Sequence, residues 1–145
     1  MSEELLRRTF EVHGRDFENA GEVSAEVTAI LKDLEVDPDI ILRVGVVTFE
    51  AEMNVVMYAS VATLTFVLLD DEITLEVADQ GPGIPDIELA MQPGYSTATD
   101  EMREMGFGYG LGLPNIRKNS DGFLLQSEVG SGTKLYSSIR LGADA

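Results

Sequence analysis

The 145-residue sequence contains no cysteine. That excludes disulfides, thiolate zinc sites, iron–sulfur clusters and a cysteine nucleophile. Its one histidine, His13, rules out any multi-histidine metal site. Basic residues are scarce: ten Lys and Arg stand against 26 Asp and Glu, for a formal net charge of −16. Such a field repels phosphate backbones and anionic lipid at long range, which argues against a nucleic-acid or membrane-surface role. A nucleotide remains open, because its site is built from local groups. Long apolar runs are also missing, and none approaches the roughly 20 residues needed to span a bilayer. The acidic opening, Met1-Ser2-Glu3-Glu4, is unlike a secretory signal, which starts basic and turns apolar. The expected location is the cytoplasm, with no nucleic-acid or membrane partner.

What is present suits a folded domain. The hydrophobic content is 44%, too high for a disordered chain. A chain of this length can bury roughly two-thirds of its unfolded surface. With no linker, repeat or low-complexity tract, residues 1–145 read as a single domain.

Hydrophobic spacing divides the chain into elements. Residues Leu5 to Val12 suit a first strand. From Phe17 to Leu34 the apolar positions Val23, Val27, Ile30, Leu31 and Leu34 predict a helix. Asp37-Pro38-Asp39 supplies an N-cap and a first-turn proline for a second helix reaching Ala59. Alternation over Ala62–Leu69 and Glu72–Val77, with Asp70-Asp71 between, predicts a hairpin. A long glycine-rich and polar stretch runs from Asp79 to about Gly112, broken by a short helix at Asp86–Met91. A third substantial helix starts near Leu111 and stops before Gly122, and a last hairpin joins Phe123–Val129 to Lys134–Leu141. This order predicts an α/β (α+β) two-layer sandwich, a mixed but mostly antiparallel sheet with helices on one face.

Four segments carry chemistry. Asp79-Gln80-Gly81-Pro82-Gly83 ends a buried-looking strand. Its glycines let backbone approach a ligand closely, and its carboxylate can accept from an exocyclic amine such as that of adenine. The same residues also make a plain turn with Asp79 as its cap. Gly106, Gly108, Gly110 and Gly112 alternate directly before a helix, where neither helix nor strand interior tolerates them. Their amides and the helix N-terminus can converge on an anion, for which a triphosphate is the natural guest. No Gly-Lys-Ser/Thr follows, so this is not a Walker loop, and the third glycine of the dinucleotide fingerprint is missing.

On the second helix Glu50 and Asn54 share one face, whereas Glu52 points elsewhere. An amide oxygen and a carboxylate are hard donors suited to Mg²⁺, and the glutamate can serve as general base. A solvated helix face has the same spacing. Gly130-Ser131-Gly132-Thr133 is a hairpin turn whose Thr133 hydroxyl can stand near a base. His13 reads as an ordinary strand residue, and Met53 and Met57 as lining the core or an adenine pocket wall.

The order of these segments resembles the N, G1, G2 and G3 boxes of the GHKL ATPases, which share the Bergerat ATP-binding fold. Glu50-x-x-x-Asn54, Asp79-x-Gly81-x-Gly83, Gly108-x-Gly110-Leu111-Gly112-Leu113 and Gly130-x-Gly132-Thr133 stand in that order across essentially the whole chain. Within the superfamily the chain is most similar to the small anti-sigma-factor and switch-type serine/threonine kinases. The resemblance implies ATP and Mg²⁺ as cofactors. It implies that Asp79 binds the adenine amine, helped by Gly83 and Thr133, that Gly81 also binds ATP, that Asn54 binds Mg²⁺, and that Glu50 is the catalytic base or orients the nucleophile. Gly108, Gly110, Leu111 and Gly112 then hold phosphates. Residues 95–105 become an ATP lid, whose Ser96, Thr97 and Thr99 touch phosphates and whose Arg103 counters γ-phosphate charge in catalysis. Many relatives carry a basic residue or histidine where this chain has Met57 or Tyr58. The implied function is phosphorylation of a partner, an antagonist of STAS type, in a partner-switching system, with homodimers as in relatives. The alternative is an ATP-gated binding module that sequesters a partner such as a sigma factor; a simple ATP hydrolase ranks third.

Overall fold

Asp37 sets the longest element. Its side chain accepts the N–H of Asp39 at 2.9 Å, and Pro38 follows it, so the chain is committed to a helix there. A computed structural model describes residues 3–80, 89, 91–92 and 112–142. In chain order these form β1 (Glu4–His13), α1 (Glu22–Asp33), α2 (Pro38–Tyr58), β2 (Val61–Leu69), β3 (Glu72–Gln80), α3 (Gly112–Asn119), β4 (Gly122–Glu128) and β5 (Gly132–Arg140). The expected short helix at 86–91 and the expected lid lie outside the described residues, apart from a turn in which Gln92 N–H meets Leu89 O at 3.1 Å.

The strands make one five-stranded sheet in the order β1-β2-β3-β5-β4, and every described pairing is antiparallel. Register places Phe10, Leu64, Val77, Leu135 and Leu125 in one row across the sheet. Thr9, Thr65, Glu76, Tyr136 and Leu124 form the adjacent row. Because side chains alternate between faces, the first row points into the core and the second away from it. Leu64, Phe66, Leu75, Leu135 and Ile139 are buried on the inner face, with Val27 and Leu31 of α1, Val47 and Val55 of α2, and Ile116 of α3. A single layer of helices thus covers one face of the sheet, with α2 packed against both α1 and α3. This is the expected α+β sandwich. No described helix is long and apolar enough to cross a membrane.

Two element boundaries differ from the sequence reading. The first helix begins at Glu22 rather than near Phe17, because Gly21, at φ +97°, turns the chain into it. Strand β3 continues past Val77 to Gln80, because Ala62 and Val61 of β2 still pair with Asp79 and Gln80. That extension carries Asp79 to the end of a paired strand.

Candidate nucleotide site

Asp79 follows Ile73, Leu75 and Val77 in the inward-facing alternation of β3, so its carboxylate lies on the face that the helices cover. Oδ1 accepts the backbone N–H of Thr133 at 3.0 Å, at the start of β5. Gly132, at φ +103°, lets the two strands meet there, since a Cβ on it would collide with the Asp79 carbonyl. The Thr133 hydroxyl exchanges a hydrogen bond with Ser127 Oγ at 2.8 Å. Burial pushes the Asp79 carboxyl above its usual range, and the Thr133 N–H offsets part of that rise.

Glu50 and Asn54 lie four residues apart on α2, both half-buried. The Glu50 carboxylate reaches the N-terminal end of α3: a Cβ added to Gly112 would stand 3.1 Å from Oε2. Gly112 is the last of the alternating glycines and the first residue of α3, so the base candidate meets the glycine run where a helix begins. Burial raises the Glu50 carboxyl above its usual range. No basic side chain among the described residues pairs with Glu50 or Asp79.

The opposite end of α3 is anchored to α2. Arg43 Nε donates to Asn119 O at 3.0 Å, and Nη2 stands 3.3 Å from Asp121 Oδ1. Ser120 Oγ bonds Ile116 O and meets Ser137 Oγ of β5 at 2.6 Å. These ties hold α3 against α2 and β5 from the end far from Gly112.

The structure brings Asp79 to Thr133, and it brings Glu50, one turn from Asn54 on α2, to Gly112. Gly81, Gly83, Ser96, Thr97, Thr99, Arg103, Gly108, Gly110 and Leu111 lie outside the described residues. Met53 belongs to the main core, and Met57 packs in a smaller cluster with Phe17 and Tyr58. His13 is exposed beside Glu11, 2.7 Å away.

Sequence reasoning missed the role of Glu52. Its carboxylate is buried and accepts N–H groups from Gly21, Val23 and Ser24. The available signal was a charge set in the run Thr48–Met57, otherwise broken only by Glu50 and Asn54. Arg43 was missed as well, having no pattern of its own.

The donor set fits a magnesium nucleotide. Oxygen donors suit Mg²⁺, which keeps several waters and needs only one or two protein ligands beside phosphates. No cluster of three or more His, Cys, Asp or Glu able to hold a metal occurs among the described residues. Close backbone approach at Gly132 and an acceptor at a strand end suit a flat base carrying an amine.

Comparison with known proteins gives the family and the fold. Residues 41–143 match the family of histidine kinase-, DNA gyrase B- and HSP90-like ATPases. The anti-sigma F factor of Clostridium acetobutylicum is 34% identical over 118 residues, covering 77% of this chain and 79% of the relative. The serine/threonine-protein kinase RsbT of Bacillus subtilis is 32% identical over 97 residues, covering 64% of this chain and 67% of RsbT. Among solved structures, a chain of the SiaB–SiaC complex from Pseudomonas aeruginosa superposes with a TM-score of 0.63 at 14% identity, over 94% of this chain and 89% of that one. That likeness concerns the fold.

Proposed function

Since the chain belongs to the histidine kinase-, DNA gyrase B- and HSP90-like ATPase family, we propose that it is an ATP-dependent serine/threonine protein kinase of the anti-sigma-factor and switch-kinase type. Its substrate is a hydroxyl on a small partner protein of STAS type, and phosphorylation changes which partner is bound. The chain works in the cytoplasm as one ATP-binding domain and pairs into homodimers.

The reading rests on one observation above the others: a half-buried carboxylate, Glu50, with no ion-pair partner among the described residues, lies against Gly112 where the glycine run enters α3. Asp79 accepts the adenine amine, with Gly81, Gly83 and Thr133 around the base. Asn54 holds Mg²⁺, which neutralises phosphate charge when bound. Gly108, Gly110, Leu111 and Gly112 direct backbone N–H groups at the phosphates, where the α3 dipole favours negative charge. Ser96 and Thr97 contact phosphates, and Arg103 counters the γ-phosphate charge. Glu50 takes the proton of the partner hydroxyl as that oxygen bonds to the γ-phosphorus and the bond to the ADP oxygen breaks. Burial suits Glu50 to this work, because a carboxyl held above its usual range is a stronger base.

The test is incubation with γ-labelled ATP, magnesium and STAS-domain partners encoded beside the gene, with Glu50→Ala as control. Label on a partner serine or threonine that depends on Glu50 is the expected result. Nucleotide-dependent capture of a partner without label would replace the kinase by a binding module.

A further inference from the structure

The chemistry proposed above leaves one carboxylate of α2 unused. Glu52 stands midway between Glu50 and Asn54 and is 2% exposed. Oε2 accepts the N–H of Gly21 at 3.0 Å and of Val23 at 3.3 Å, and Oε1 accepts that of Ser24 at 3.3 Å. These amides belong to the first turn of α1, whose N-cap, Gly21, offers no side-chain bond of its own. A buried carboxylate must be hydrogen-bonded, and three N–H groups at a helix N-terminus hold it in one place. The cap of one helix is therefore supplied by the side chain of the next.

Building on the nucleotide reading, we infer that Glu52 is a positioning residue: its grip on α1 sets the rotation of α2 that turns Glu50 and Asn54 towards the nucleotide. Each residue of a helix advances about 100°, so Glu50 and Asn54 both lie about 160° round the axis from Glu52. Side-chain tips sit about 5–6 Å from the axis, so a turn of about 10° moves them by about 1 Å. A displacement of about 1 Å in a reacting group can cost about 100-fold in rate.

Little else in the α1–α2 contact resists such a turn. The apolar side chains of Val23, Val27 and Leu31 give non-directional packing. Gly45, against which the Thr28 methyl group lies, has no side chain to interlock. Thr48, one turn before Glu52, is buried with Oγ1 unpartnered. The other described polar tie between the helices is Ser24 Oγ to Gly45 O at 3.1 Å. One such tie acts as a pivot; Glu52, two turns further along α2, makes it a two-point fixture.

The test compares Glu52→Gln with Val27→Ala, which loosens the same helix contact through its apolar part. Calorimetry with ADP, with and without magnesium, measures how much affinity the metal adds, and thermal unfolding measures stability. Glu52→Gln is expected to cut the magnesium-dependent gain about tenfold, while Val27→Ala, at equal or greater loss of stability, leaves it within about twofold. An unchanged gain in a folded Glu52→Gln, or losses that follow stability in both variants, overturns the inference. Should Glu52→Gln not fold, Val23→Pro takes its place. It deletes one of the three amides at the second helical position, which tolerates proline, and is held to the same outcomes. A wild-type protein that binds no ADP with magnesium brings down the nucleotide reading and this inference together. Normal binding with no change in the variants brings down this inference alone.

Discussion

Asp79 and Thr133, 54 residues apart in sequence, are joined by a 3.0 Å bond from backbone N–H to carboxylate. The bond occupies Oδ1, and among the described residues none donates to Oδ2. A second oxygen of a partly desolvated carboxylate, placed at a strand end, is a strong acceptor awaiting a donor. Replacing Asp79 by Asn removes the charge while keeping the shape. Hydrogen bonds to charged groups contribute about 1.5–3 kcal/mol, so Asp79→Asn is expected to weaken ADP binding about 10- to 100-fold. Burial raises the carboxyl, so the nucleotide-free variant should melt no lower than wild type at neutral pH. Calorimetry and a thermal melt check both. Unchanged ADP affinity would remove Asp79 from the adenine site.

The same junction depends on a glycine. Gly130 and Gly132 both have positive φ, +85° and +103°. Around Gly130 a Cβ meets nothing within 4 Å, whereas on Gly132 it collides with the Asp79 carbonyl. Gly130→Ala should therefore cost only the left-handed backbone penalty of about 1–2 kcal/mol. Gly132→Ala adds strand displacement and should cost about 3 kcal/mol or more. Urea unfolding of the two variants gives the comparison. Equal costs would mean that strand β5 does not need its close approach to Asp79.

Much of this was legible in the sequence because the relevant physics is local. Alternation in Leu64–Leu68 and Ile73–Val77 gave the central hairpin, and Asp37-Pro38 announced α2. That Glu50 and Asn54 share α2 one turn apart was readable because their spacing is short. What escaped is non-local. Gly21 looks like no helix start until Glu52, 31 residues on, supplies the cap. Strand β3 outlasts its apolar alternation because β2 keeps pairing with it. Arg43 reaches a carbonyl 76 residues away, and nothing in its neighbourhood foretells that.

That arginine fixes α3 jointly with Asp121. Asp121 Oδ2 accepts the N–H of Arg140 at 2.7 Å, and Oδ1 faces Arg43. The Arg140 N–H, chiefly, holds the Asp121 carboxyl below its usual range; burial opposes it, and the smaller effect of Arg43 adds to the lowering. A carboxyl lowered by folding stabilises fully above its unfolded value, near 3.8, and loses that contribution as pH falls through the folded value. Both side chains are about one-third exposed, so solvent screening keeps the ion pair small and the hydrogen bond dominates. Asp121→Asn should therefore lower stability by about 1 kcal/mol at pH 7. The gap between variant and wild type should narrow as pH drops below about 3.8. Denaturant unfolding at pH 7 and at pH 3 decides it; a gap that widens in acid would contradict the assignment.

Glu50 titrates with the opposite sign. Burial alone raises its carboxyl from an ordinary value of 4.5, so between that value and the raised one the folded protein binds more protons than the unfolded chain. Stability then rises as pH falls through that window, and the penalty of the buried charge is fully present above it. Glu50→Gln deletes the penalty, so the nucleotide-free variant should gain stability at pH 7, by about 1 kcal/mol or less. Loss of the base should slow phosphate transfer about 10²- to 10⁴-fold. In the wild-type protein, transfer should climb with pH through a midpoint above 4.5 and then level off. Melting curves of the variant across pH, set beside transfer rates from labelled ATP, test both halves at once. A variant that is both less stable and equally active would leave Glu50 an ordinary polar residue of α2, with no part in moving a proton.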